Sequence, residues 1–347
     1  MRLRGDKMEV KQAVIMVGGK GTRLYPLTEN TPKPALPVLD MPCLKYLIRS
    51  FASAGITEVF LACGYKSDVL QKAIGDGSDL GVKIIYSDED TPLGTGGAMK
   101  QLEDRLDPVF AAANGDTFID IDLREQIDLH LRTGAKITIA LTTVDNPCEY
   151  GIARLEDDGR ITEFKDKPKP EEVFSNYINA GIYVVDRSVL AHVPEKTFFD
   201  FSKDLVPIIT RRGERVQGYK LSGGVWKDVG RPSDLIGTNL LMAERLHSGT
   251  DFPAEGCRIT RPFYLGEGSS VEGSVLESTA ILKGSTVKDS TIAQSLIMEG
   301  CFVKQATVSN SILGRNCTVN RGATVRNCVL RDGTVVGEGE ILENRMG

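Results

Sequence analysis

The sequence predicts an α/β domain, with a mostly parallel sheet covered by helices on both faces, followed by a coil of short parallel strands. Three observations carry this expectation. From Ala13 to about Leu246 apolar strand-like runs alternate with helix-like stretches, the pattern of a sheet whose crossover helices cover it. After Gly249 the long helical patterns stop. An aliphatic residue then returns with a fixed 16-residue period, at Leu265, Ile281, Ile297 and Leu313, which marks an internal repeat. The expected domains are therefore 1–248 and 249–347.

In chain order, "AVIMV", "EVFLAC", "VKIIYS", "VFAAANGD", "KITIALTTV" and "NAGIYVVD" read as strands. "CLKYLIRSFASAG" and "KSDVLQKAIGDG" read as amphipathic helices that stop at glycine. In such a sheet ligands gather at the carboxyl ends of the strands.

The repeat is phased at more than one position. Val271, Val287, Val303 and Val319 share the 16-residue spacing, as do Leu276, Ile292 and Val308. Within one repeat the apolar residues fall 6, 5 and 5 apart, at Leu265, Val271, Leu276 and Ile281. Those spacings leave any single helix face, whereas three short strands per coil, each with one aliphatic residue inward, describe a triangular prism. Gly268, Gly284 and Gly300 recur at one corner, where glycine tolerates an unusual backbone angle. Asn316 and Asp332 are the residues expected at that corner in the next coils, and both types tolerate the left-handed region. Leu330 follows Leu313 by 17, so the fourth repeat carries an extra residue. Cys301 and Cys317 read as stacked small residues. The pattern resembles the hexapeptide-repeat left-handed β-helix with shortened corners.

Composition narrows the function. The 347 residues are 41% apolar and 26% charged, as in ordinary globular proteins. A net charge of −5 offers no broad basic surface for nucleic acid. The N-terminal "MRLRGDKMEV" is basic, but Gly18 and Gly19 interrupt before any run of signal-peptide length, and no stretch would span a bilayer. Neither nucleic acid nor membrane is an expected partner. Seven cysteines, an odd number without a C-x-x-C pair, point to a reducing cytoplasm rather than a disulfide framework or a zinc site. His130, His192 and His247 lack metal-ligand spacing and read as structural or surface residues.

The stretch with chemistry in it is "VIMVGGKGTRLYPLTENTPKPALPV", Val14 to Val38. A strand that runs into glycines lets backbone N–H groups approach phosphate oxygens. Gly18, Gly19 and Gly21 fit neither the G-x-G-x-x-G nor the P-loop spacing. Arg23 and Lys33 add two cations that can neutralise a polyphosphate.

G-G-x-G-T-R-L-x-P-L-T followed by P-K-P resembles the signature of the sugar-1-phosphate nucleotidyltransferases. Six further motifs follow in that family's order: "PLGTGGAM", "NGD", "PCEYG", "FKDKP", "NAGIY" and "WKDVG". The resemblance implies a Rossmann-like catalytic domain with a C-terminal left-handed parallel β-helix. It makes Arg23 and Lys33 catalytic, and gives nucleotide binding to Gly18, Gly19, Gly21, Thr22, Gly94, Thr95 and Asn114. It assigns the sugar phosphate to Gly151, Asp166, Lys167 and Asn179, and a Mg²⁺ cofactor to Asp116 and Asp228, hard oxygen donors that suit that ion. The family usually has glutamate where this chain has Asp166, and the shorter side chain bears on which sugar is held.

The reaction implied is attack of a sugar-1-phosphate oxygen on the α-phosphorus of a nucleoside triphosphate, with release of pyrophosphate. The "GTGG" loop, the length and the short tail most resemble the mannose-1-phosphate guanylyltransferases, which make GDP-mannose from GTP and mannose 1-phosphate. The alternatives are thymidylyl, uridylyl or adenylyl transfer to glucose 1-phosphate, or a silent NDP-sugar-binding regulatory paralogue. An acyltransferase tail is a further reading, but that chemistry calls for a histidine base and none follows His247. The tail is thus expected to mediate assembly or regulation, with the protein a homo-oligomer through its β-helix.

Overall fold

In a computed structural model the described residues are 9–89, 91–246 and 256–347. The basic start of the chain, His247 and the expected boundary at 248/249 lie outside the described residues. By internal contacts the chain divides into two units, Met1–Gly19 with Leu44–Trp226, and Lys20–Cys43 with Lys227–Gly347.

The first unit holds, among the described residues, a nine-stranded sheet. Its central order is Ile161–Asp166, Gly151–Leu155, Tyr177–Asp186, Val109–Asn114, Gln12–Val17, Glu58–Cys63 and Lys83–Asp88. Ile137–Thr143 pairs with Tyr177–Asp186, and Val216–Lys220 pairs with Ile137–Thr143. Gln12–Val17 is parallel to both neighbours, with Ile15 opposite Leu61 and Met16 opposite Asn114. Ala13 to Val17 are all buried, because a strand in the middle of a parallel sheet is covered on both faces and needs a continuous apolar run. Tyr177–Asp186 is antiparallel to Val109–Asn114 and to Ile137–Thr143. The Rossmann-like parallel core expected from the sequence is thus extended by antiparallel strands into a mixed sheet.

The expected helices are Cys43–Ser53 and Ser67–Ile74. The second ends as predicted at a glycine, Gly75, whose φ of 80° suits a residue without Cβ. Arg124–Thr133, polar on average and without a long apolar pattern, is a further helix. It carries the buried His130, whose Nδ1 lies 2.9 Å from Thr138 Oγ1.

The second unit contains the repeat, whose strands all pair in parallel and in the register read from the sequence. Val271 stands opposite Val287, Val287 opposite Val303, Leu276 opposite Ile292, and Ile281 opposite Ile297. Val287, Ile292, Ile297, Val303 and Val308 are fully buried in one cluster. Gly268, Gly284, Gly300 and Asn316 have φ of 69°, 69°, 70° and 57°, as the corner requires. The expectation for Asp332 is corrected: Gly333, at φ 74°, occupies the corner instead. Val303 pairs with Val319, 16 residues on, but Val308 pairs with Val325, 17 on. The extra residue therefore enters between Val319 and Val325 and shifts the following corner by one. Cys301 and Cys317 are buried, their thiols donating to the carbonyls of Gly314 and Arg331.

The helix Pro232–Leu246 and the segment 20–43 complete this unit. Buried Asn239 on that helix accepts from Leu39 N–H at 2.6 Å and donates to Pro37 O at 3.3 Å. All seven cysteines are free thiols. No helix among the described residues is long and apolar enough to cross a membrane.

Truncating Ile292 to Ala should cost about 2–5 kcal/mol, since it is fully buried in the prism, and urea unfolding followed by circular dichroism measures it. Burial disfavours the imidazolium of His130 and pulls its pKa from 6.5 to about 4. The unfolded chain therefore takes up the proton first. Unfolding free energy should fall as pH drops from about 6.5 to about 4, and His130→Gln should flatten that part of the stability profile.

Candidate active site

In the first unit Gly18, Gly19, Asn114 and Asp116 lie at the carboxyl ends of two paired parallel strands. Gly18 and Gly19 leave Gln12–Val17 exposed. A Cβ on either would meet nothing within 4 Å, and neither has a positive φ. Their own protein does not require glycine there, so the space a Cβ would fill is open to an incoming group. On the neighbouring strand Asn114 is followed by Gly115, whose N–H donates to Met16 O at 2.8 Å. A Cβ on Gly115 would overlap Val17 Cγ1, so this glycine holds the turn against the first strand. Asp116 emerges exposed beyond it.

The Oδ1 of Asn114 is buried and has no hydrogen-bond partner. Beside it Gly181, at φ 74°, would place a Cβ 2.9 Å from Asn114 Nδ2. Asn179 Nδ2 donates to Tyr183 Oη at 2.8 Å and to Ser202 Oγ at 2.9 Å, while its Oδ1 accepts from Gly181 N–H at 2.9 Å. Burial pushes the Tyr183 phenol up to about 12, so it stays a neutral hydrogen-bonding group. The register slips between Asn179 and Tyr183, which is how the "NAGIY" motif turns its asparagine into this network. Trp226 Nε1 donates to Ala180 O at 2.8 Å and its ring lies 6.0 Å from that of Tyr150.

Gly151 stands opposite Asp166 on paired antiparallel strands. A Cβ on Gly151 would lie 2.6 Å from Phe164 Cζ and 3.5 Å from Asp166 Oδ1. Burial raises the Asp166 carboxyl above the usual range; Lys167 and Lys203 oppose the shift and Asp200 adds to it. Exposed Lys167 takes a left-handed φ of 45°, with its N–H donating to Tyr150 O at 2.9 Å. A lysine held there is strained relative to extended backbone.

The "GTGG" stretch is not a loop. It opens the helix Gly94–Gln101, because Gly96 and Gly97 both donate to Phe199 O, at 2.9 and 3.1 Å. Gly94, at φ 71°, would place a Cβ 2.7 Å from the same oxygen. Thr95 Oγ1 donates to Asp200 Oδ2 at 3.3 Å and accepts from Phe201 N–H at 2.8 Å. The glycines and the threonine thus dock the 197–201 segment. Sequence reasoning missed Asp200, Ser202 and Gly115; "DFSKD" carries no pattern to flag the first two, whereas Gly115 stood inside the quoted "NGD".

In the second unit Gly21, at φ 63°, would place a Cβ 3.0 Å from Lys33 Cβ and 3.1 Å from Thr28 Cγ2. Its carbonyl accepts from Thr28 Oγ1 at 2.9 Å, and Thr22–Leu24 forms a tight turn after it. Exposed Arg23 lies over Gly230, where a Cβ would be 3.1 Å from the guanidinium carbon. Lys33 follows Pro32 into the Lys33–Ala35 turn and is buried. Its Nζ lies 3.7 Å from Asp228 Oδ1. The Pro-Lys-Pro and "WKDVG" motifs are thereby joined through one ion pair.

Asp116 belongs to the first unit and Asp228 to the second. Among the described residues no three His, Cys, Asp or Glu side chains cluster as a ready metal cage. Each of the two aspartates is a hard oxygen donor of the kind that holds a divalent cation together with phosphate and water oxygens.

Residues 12–245 match the family described as Nucleotidyl transferase, more than half the chain, and the chain belongs to that family. Residues 277–346 match the description GlmU-like, C-terminal hexapeptide. The Mannose-1-phosphate guanylyltransferase of Mycobacterium tuberculosis is 32% identical over 286 residues, 76% of this chain and 79% of that protein. A "Mannose-1-phosphate guanylyltransferase catalytic subunit beta" of Drosophila pseudoobscura is 35% identical over 65% of this chain, which spans only 60% of that relative. A crystal structure from Bacillus anthracis, described as a glucose-1-phosphate thymidylyltransferase in complex with a sucrose, has a TM-score of 0.62 and 25% identity. It covers 70% of this chain and 98% of its own.

The glycines separate into two kinds, and stability measurements will tell them apart. Gly94→Ala meets both a left-handed φ and the Phe199 carbonyl, and should cost about 1–3 kcal/mol. Gly18→Ala meets open space and should stay within about 0.5 kcal/mol of the parent in urea unfolding.

Proposed function

We propose that the protein transfers a nucleotidyl group from a nucleoside triphosphate to a sugar 1-phosphate, with GTP and mannose 1-phosphate as its pair. The observation that carries the reading is the buried Lys33 ammonium beside Asp228. A lysine in that setting is a fixed positive charge, already compensated, at which phosphate oxygens can be received. The guanylyl choice is supported by the relatives of that name.

The roles are those that the family resemblance gives. Gly18, Gly19, Gly21 and Thr22 admit the triphosphate to the backbone, Asn114 serves the nucleotide as well, and Gly94 and Thr95 shape the base end. Arg23 and Lys33 neutralise charge on the transferring phosphorus. Lys167 takes the phosphate of the sugar 1-phosphate, with Gly151, Asp166 and Asn179 toward the sugar. The attacking oxygen is already anionic, so alignment and charge neutralisation serve in place of a strong base. Mg²⁺ held by Asp116 and Asp228 would supply further neutralisation of the phosphates. The seven free thiols suit a reducing cytoplasm, and the hexapeptide repeat supports assembly as a homo-oligomer.

The Bacillus anthracis likeness favours a second reading, thymidylyl transfer to glucose 1-phosphate. Pyrophosphate release with each nucleoside triphosphate against mannose, glucose and N-acetylglucosamine 1-phosphates decides between them. GTP with mannose 1-phosphate should give the highest kcat/KM, and preference for another pair would displace the guanylyl reading. Asp228→Ala should lower kcat by about 100-fold or more in that assay; an unaltered rate would remove Asp228 from the machinery.

A further inference from the structure

The segment that carries Arg23 and Lys33 is held by side chains of the β-helix, all within the second unit. Arg331 Nη2 donates to Tyr25 Oη at 2.9 Å, and its Nε lies 2.9 Å from Glu29 Oε2. Arg315 Nη1 donates to Thr31 Oγ1 at 3.0 Å. Arg315 is itself fixed, its Nε 2.6 Å from Glu299 Oε2 and its backbone N–H donating to Asp332 Oδ1 at 2.8 Å. A third tie runs the other way: Asp40 accepts from Tyr264 Oη and from Lys283 N–H, both at 2.8 Å. Gly266 gives that carboxylate its place, since a Cβ there would lie 2.5 Å from Asp40 Oδ2.

The arginine ties fall between the two cations, and the Asp40 tie falls beyond Lys33. Tyr25 is two residues after Arg23, and Thr31 is two before Lys33. An arginine on a coil surface ordinarily pairs with the next coil, as Arg326 does with Glu343 at 2.7 Å. Arg331 reaches the Arg23–Lys33 segment instead. Partly exposed pairs of this kind contribute at most about 1 kcal/mol to folding. Their effect on geometry is larger, because a misplacement of about 1 Å can cost roughly 100-fold in rate.

We propose that Arg315 and Arg331 are positioning residues for Arg23 and Lys33, which makes the β-helix part of the apparatus for nucleotidyl transfer. The inference rests on the transferase reading above. It predicts that loosening the ties lowers kcat while leaving the binding of sugar 1-phosphate unaltered.

The test uses the full chain and reads kcat, KM and amide hydrogen exchange across residues 20–43. Arg331→Met and Arg315→Met loosen the ties from the coil side. Tyr25→Phe and Thr31→Val remove only the segment's hydroxyls, so they guard against a coil that fails to fold. Arg326→Met is the control, an arginine of the same coil surface that pairs within the β-helix. The paired hydroxyl variant should lose roughly tenfold in kcat with KM for sugar 1-phosphate within about twofold, and exchange in 20–43 should quicken. The control should match the parent in both readouts. Parent-like kcat in the arginine and hydroxyl variants, or an equal loss in Arg326→Met, overturns the inference alone. A parent protein that releases no pyrophosphate with any substrate pair overturns the functional reading and the inference with it.

Discussion

An ammonium group withdrawn from water must be compensated, and in this chain the compensated group is Lys33. Its side chain is 9% exposed, and Asp228 stands 3.7 Å from its Nζ. Asp228 supplies the facing negative charge that an ammonium held mostly out of water calls for. The requirement dictates much of the surrounding backbone. Two prolines hold the lysine in a tight turn, Gly21 is bare because Lys33 Cβ lies against it, and the strand Val225–Asp228 must end where its carboxylate meets the ammonium.

The first unit solves a different problem, that of bringing polar groups together without leaving them unsatisfied. Asn179 uses both N–H groups on Tyr183 and Ser202 and its oxygen on Gly181. Only Asn114 Oδ1 is left over among these asparagine and tyrosine groups, and a buried acceptor without a donor is a place where an incoming N–H or O–H gains the most. Glycines make the closeness feasible. Gly115, Gly151 and Gly181 each stand where a Cβ would strike a neighbour from another strand.

Much of this was legible in the sequence. The buried parallel strands announced themselves as unbroken apolar runs, and the prism gave its register through the 16-residue spacing. What escaped had its cause elsewhere in the chain. The hairpin Gly151–Leu155 and Ile161–Asp166 is half polar and is ordered by pairing with itself and, at Ile152, with Ile178. Gly94–Gln101 has three glycines and poor intrinsic helicity; it is helical because Phe199 O collects two of its N–H groups. Of the site, the motifs named Lys33 and Asp228 separately, but their pairing spans most of the chain and has no local signature. The docking role of Asp200 and Ser202 belongs to side chains in a stretch with no periodicity to mark it.

The residue added between Val319 and Val325 has a consequence for charge. In an unbroken repeat Arg331 would stack directly on Arg315, guanidinium above guanidinium, on adjacent coils. The one-residue slip instead brings Asp332 into line with Arg315, where its carboxylate receives the Arg315 N–H and faces the guanidinium at 3.8 Å. It leaves Arg331 one place over, opposite Gly314, and free of that repulsion. A local irregularity in an otherwise metronomic chain thus converts a column of like charges into one pair along the coil axis and one arginine directed sideways, toward Tyr25 and Glu29.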